Sequence, residues 1–135
     1  MKRVSIALMV MLAGCGSQKA SDATLSEINV TGWYEGTETV NQDGIGQYSA
    51  TLKLILTQVG SSVTGTFETA SGASGSVNGT LIGNNLSLIL NYPYPCAGTV
   101  PLTANVLGNV ISGSFSWPII GACSAGRAVF SLTKQ

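Results

Sequence analysis

Residues 52–67 read LKLILTQVGSSVTGTF. Leu52, Leu54 and Leu56 alternate with Lys53, Ile55 and Thr57. A period of two puts one set of side chains on a buried face and the other toward solvent, the pattern of a β-strand lying on a core. Gly60-Ser61 interrupts the run. Two such residues suit a tight hairpin, where a residue with positive φ is required. Val63-Thr64-Gly65-Thr66-Phe67 then resumes the alternation, with Gly65 on the same face as Val63 and Phe67. The stretch therefore reads as two antiparallel strands and their turn.

The same signals recur along the chain. Leu86, Leu88 and Leu90 alternate with Ser87, Ile89 and Asn91, and Ala128, Phe130 and Leu132 with Val129, Ser131 and Thr133. From Ile28 onward no stretch repeats at three to four residues, so the fold class is all-β. Turn residues divide this region into eight predicted strands at 30–40, 48–59, 62–70, 75–82, 85–92, 99–107, 110–117 and 126–134. The motif of residues 63–67 returns at Val77-Asn78-Gly79-Thr80-Leu81 and Ile111-Ser112-Gly113-Ser114-Phe115. An inward glycine lets a strand bend or a neighbour approach closely. Its fixed place in three strands points to a small, tightly curved barrel.

Loop lengths give the topology. Gly60-Ser61, Gly83-Asn84 and Gly108-Asn109 are two-residue turns, whereas the connections at 41–47, 71–74, 93–98 and 118–125 are longer. In an up-and-down meander alternate connections lie at opposite ends, so an eight-stranded antiparallel barrel has one tight end and one elaborated end. Cys96 and Cys123 fall in two of the long connections, at the same end. As an even pair in an oxidising compartment they are expected to form a disulfide.

The chain opens MKRVSIALMVMLAGC: a basic start, an apolar run and small residues, the plan of an export signal. Leu12-Ala13-Gly14-Cys15 resembles the lipobox of bacterial lipoproteins. The resemblance implies cleavage before Cys15 and a thioether-linked diacylglycerol on its sulfur, with a third acyl chain on the new amine in many bacteria. Two or three chains anchor stably, because each buried methylene contributes roughly 0.8 kcal/mol. The expected organisation is a signal peptide at 1–14, a lipidated Cys15 and Ser/Ala/Thr-rich tether at 15–27, and a β-barrel domain at 28–135. The expected location is the cell envelope, membrane-anchored through Cys15. Gly16, a non-aspartate after the lipidated residue, points by analogy with enteric bacteria to the outer membrane.

Composition excludes some functions. After the signal, Lys19, Lys53, Arg127 and Lys134 stand against Asp22, Glu27, Glu35, Glu38, Asp43 and Glu68, a formal −2. With no basic patch, nucleic acid is not an expected partner. Histidine is absent, which removes the commonest general base, and two cysteines without a histidine make a poor metal site. No cofactor, metal or catalysis is expected. Glu35 and Glu38, three apart on the first strand, point to opposite faces. Glu35 shares a face with Trp33 and Thr37 and is a candidate for an inward place, the preferred reading being the rim or solvent; Glu68 is expected in solvent and Asp43 in a turn. Tyr92, Tyr94 and Trp117 gather at the long-loop end and make a candidate ligand rim; the competing reading is that Trp117 and Tyr92 cap the core beside the disulfide. Trp33 and Tyr34 are expected to plug the opposite end.

At Gly32-Trp33-Tyr34 and Val63-Thr64-Gly65-Thr66-Phe67-Glu68 the chain resembles the avidins and, more loosely, the lipocalins, both eight-stranded meander barrels. The resemblance covers the first four strands. Gly32 and Trp33 are adjacent, where those families carry Gly-x-Trp, and the later strands hold Trp117 without a matching aspartate, so no biotin-binding residue transfers. The function expected is a lipid-anchored, non-catalytic barrel whose long-loop rim binds a small ligand, glycan or protein partner. The rival is a structural or envelope-assembly lipoprotein with a packed core and no ligand.

Overall fold

The computed structural model describes residues 28–70, 72–93, 96–120 and 123–135. It contains strands β1 (Gly32–Gln42), β2 (Gly46–Val59), β3 (Ser62–Thr69), β4 (Ser74–Ile82), β5 (Asn85–Tyr92), β6 (Gly98–Leu107), β7 (Val110–Trp117) and β8 (Gly126–Lys134). Each pairs antiparallel with its sequence neighbour, and β1 pairs with β8 from Tyr34↔Lys134 to Gln42↔Gly126. The sheet is a closed eight-stranded meander, the shape the resemblance implied. The expectations for Cys15 and Tyr94 lie outside the described residues.

The alternating residues fill the interior. Leu52, Leu54, Leu56, Leu86, Leu88, Leu90, Leu102, Ile111 and Leu132 are buried to within about 1% of full coverage. Burying each such side chain stabilises by roughly 1.5–3 kcal/mol. The repeated glycines allow the curvature. A Cβ on Gly65 would overlap the Ile55 carbonyl oxygen, one on Gly79 that of Ser87, and one on Gly113 that of Thr103. Gly36 of β1 and Gly75 of β4 sit equally close to Ser131 and Asn91.

The tight-turn end is shut. Gly60, Gly83 and Gly108 take positive φ of 62°, 63° and 59° at its three turns. The segment before β1 folds across it: Val30 is fully buried, its amide donates to Gln58 Oε1 at 2.8 Å, and the Gln58 amide donates to Thr31 Oγ1 at 2.9 Å. Tyr34 is buried there as expected. Trp33 is not a plug. It points outward, 46% exposed, with the Lys53 ammonium 5.1 Å from its ring centre. The ladder decides this: Tyr34, Gly36, Glu38 and Val40 take the inner face of β1, leaving Trp33, Glu35 and Thr37 outside.

One predicted loop is also shorter than expected. The ladder between β1 and β2 runs to Gln42↔Gly46, so the 41–47 connection shrinks to Asp43, Gly44 and Ile45. Gly44 and Gly46, with φ of 80° and 102°, let the chain reverse in so few residues. The first strand accordingly spans 32–42 rather than 30–40.

Candidate functional site

The long-loop end is open. A cavity of about 690 Å³ enters the barrel there, lined in its depth by Glu38, Val40, Thr69, Val100 and Phe115. Its mouth is formed by Gln42, Tyr48, Tyr92, Trp117, Ile120 and the Cys96–Cys123 pair. Its size is within the ~300–1,000 Å³ of small-molecule sites. A groove on the outer wall, between Thr39, Gln47, Thr103 and Arg127, is lined mainly by solvent-facing side chains and holds no buried charge.

Two of the expected rim residues line the cup. Tyr92 ends β5 in the inward row of Leu86, Leu88 and Leu90, its ring centre 4.7 Å from that of Phe67. Trp117 ends β7 in the inward row of Ile111 and Phe115, its ring centre 5.7 Å from that of Phe115. Both also pack against the core. Trp117 Nε1 donates to the Ser124 carbonyl at 2.8 Å, and its ring lies over Gly126, where a Cβ would collide with it. The expected disulfide is present, with Cα atoms 5.9 Å apart, and joins the β5–β6 and β7–β8 connections.

The rest of the mouth is tied by hydrogen bonds. Ile120 and Cys123 exchange backbone bonds of 2.9 and 3.0 Å. The Asp43 amide donates to the Ala125 carbonyl at 2.9 Å, which fastens the β1–β2 turn to the last connection. Tyr48 Oη donates to Gln42 Oε1 at 3.0 Å, and Gln42 Nε2 reaches the Ser124 carbonyl at 3.5 Å.

The residue that sequence reasoning missed is Glu38. It is 4% exposed, faces inward opposite Ala50 and Phe130, and lines the cavity. Among the described residues no hydrogen bond or ion pair reaches its carboxyl. A signal for it was present: Tyr34-Glu35-Gly36-Thr37-Glu38 is a further copy of the glycine motif, with Glu38 where Phe67, Leu81 and Phe115 stand in the others. Glu35, the carboxylate weighed for an inward place, lies on the outer face of β1 beside Lys53 in the ladder. Lys53 is ion-paired with the exposed Glu68 at 3.4 Å.

Burial governs the protonation of the cup. Loss of hydration raises Glu38 to about 7. Burial first, then the charges of Glu38 and Tyr48, push Tyr92 up to about 12, and Tyr48 is raised by burial and then by Glu38. The two phenols therefore stay protonated at neutral pH, while Glu38 is poised between its forms. In an unfolded chain the same carboxyl ionises near 4.5. Between these values the folded protein holds more protons than the unfolded one, so stability falls as pH rises through the window. The loss is roughly 3 kcal/mol and is complete above pH 7. Urea unfolding at pH 5 and pH 8 measures it, and Glu38→Gln is expected to flatten this part of the profile. An unchanged slope in the variant would assign the pH dependence elsewhere.

No protein-family model and no curated protein matches the chain. Among solved structures, EF1p2_mFAP2b bound to DFHBI resembles it with a TM-score of 0.58 at 15% identity, over 84% of this chain and 96% of that one. At this identity the likeness is one of fold alone.

Proposed function

We propose that this protein is a lipid-anchored binding protein of the bacterial cell envelope whose barrel holds a small, largely apolar ligand in the open cup. The observation that carries the reading is the cavity itself, with the unpartnered Glu38 carboxyl in its wall. A buried ionisable group with no partner costs stability, and a ligand that supplies the partner offsets that cost. The neighbour of similar fold, EF1p2_mFAP2b, is bound to DFHBI, which supports a barrel of this shape as a container for a small molecule. Binding is favoured over catalysis because the polar contacts of the cup, Tyr48 with Gln42 and Trp117 with Ser124, join no nucleophile to a base.

The anchoring half of the proposal rests on the Leu12-Ala13-Gly14-Cys15 sequence, with the outer membrane as the expected site. The segment at 28–31 meets the barrel at its shut end. A tether at 15–27 running from the lipid would thus leave the cup facing away from the membrane. Native mass spectrometry of the protein extracted in mild detergent from its host tests both halves. The expected result is a chain beginning at lipidated Cys15, with a noncovalent small-molecule adduct. An unlipidated chain refutes the anchor. A protein that carries no adduct and takes up no N-phenyl-1-naphthylamine, a neutral apolar dye, refutes the binding reading.

A further inference from the structure

We propose that the cup selects a flat aromatic molecule carrying a cationic hydrogen-bond donor, an amine or amidine, with the cation on Glu38 and the ring among Tyr92, Phe115 and Trp117. This deepens the binding reading and rests on it. Three observations converge.

The first is the unmet carboxyl. Glu38 is 96% covered, lines the cavity, and is reached by no hydrogen bond or ion pair among the described residues. It occupies the place of a large apolar side chain in the glycine motif, where Phe67, Leu81 and Phe115 simply pack. A carboxylate kept there is satisfied best by a donor that enters with the ligand.

The second is the absence of a competing cation among the described residues that line the cup. Lys53 lies on the outer face, held by Glu68 and Trp33, and Arg127 and Lys134 are exposed. An anionic ligand would meet Glu38 with nothing to balance it. A neutral, donor-free ligand would strip water from the carboxyl and return no bond.

The third is the wall. Tyr92, Phe115 and Trp117 present aromatic surface beside the carboxyl. Their faces attract a cation held within ~6 Å as well as stacking on its ring. The titratable groups facing Glu38 are Tyr48 from β2 and Tyr92 from β5, both held protonated, and the cysteines at the mouth are joined. Ionisation of Glu38 is therefore the event that sets the pH dependence of cation binding.

The test is isothermal titration calorimetry of the disulfide-intact protein with naphthalene-2-carboxamidine, 2-naphthamide and 2-naphthoate, which share a ring and differ in charge. At pH 8 the amidine is expected to bind at least ~10-fold more tightly than the amide, and the naphthoate not measurably. Acidification to pH 5.5 protonates Glu38 and should weaken the amidine by more than ~10-fold. Glu38→Gln should bring amidine and amide level. Glu38→Leu, which restores the apolar residue of the motif, serves as a second variant that keeps the wall packed. Equal binding of amidine and amide, with no effect of either variant, overturns the cation inference and leaves the binding reading intact. Binding of the amide that strengthens on acidification also overturns it, by making protonated Glu38 the donor. Failure of all three probes, in a protein that still takes up N-phenyl-1-naphthylamine, overturns the inference and again spares the binding reading.

Discussion

Gly65→Ala is expected to destabilise the barrel by about 4 kcal/mol or more. The added methyl would overlap the Ile55 carbonyl oxygen and press on the Leu56 Cα, both main-chain atoms of the adjacent strand. No side-chain rotation relieves a clash of that kind. The β2–β3 ladder must open around Leu56↔Gly65, and each buried backbone group left unpaired costs about 1–3 kcal/mol. Gly83→Ala is the control. Its Cβ meets nothing within 4 Å, and its positive φ of 63° makes the cost one of backbone strain, roughly 1–2 kcal/mol. Urea denaturation of the two variants should separate them widely. Equal losses would mean that the inward glycines are turn formers and not points of close approach.

Removing the Cys96–Cys123 bridge is the second large effect. The cysteines are 27 residues apart in sequence. Closing a loop of that size restricts the unfolded chain by an amount worth about 3.5 kcal/mol in the chain-entropy model. For a domain of this length that corresponds to a fall in Tm of roughly 15 °C. Cys96→Ser with Cys123→Ser, and reduction of the native protein, should give the same shift in calorimetry. A fall of under ~2 °C would show that the bonds from Asp43 to Ala125 and from Trp117 to Ser124 hold the mouth without it.

Most of the barrel was legible because its signals are local. The alternation at Leu52–Leu54–Leu56, the two-residue turns and the inward glycines each act over a few residues, and the predicted strand at 110–117 matches β7 end to end. The pairing of the cysteines followed from the meander, which puts alternate connections at one end. The failures came where the period gives two faces without naming the inner one. On β1, Trp33 and Tyr34 are neighbours on opposite faces, yet both were expected to plug the barrel end. The cross-strand ladder chose otherwise, because Gly36 must face in to approach Ser131 and carries Tyr34 and Glu38 with it. The glycine motif held that information, and the carboxylate in its last place concealed the copy. Tyr92 and Trp117 were found because aromatic residues at strand ends beside loops are readable in one dimension. That their rings flank a hollow and not a filled core depends on Ala50, Glu38 and Thr69 being too small or too polar to fill it.

The seam between β1 and β8 has a kinetic consequence. It joins the first strand to the last, with Tyr34 opposite Lys134. Contacts so distant in sequence are slow to form, because the chain must surrender its loop freedom before they reward it. Until β8 arrives, β1 presents an unpaired hydrogen-bonding edge, the kind of surface that recruits other chains. A chain delivered in order from its amino end would spend that interval vulnerable. Once the seam shuts, no strand edge is left among the described residues, and a macromolecule that meets the barrel wall must recognise its loops or its outer side chains.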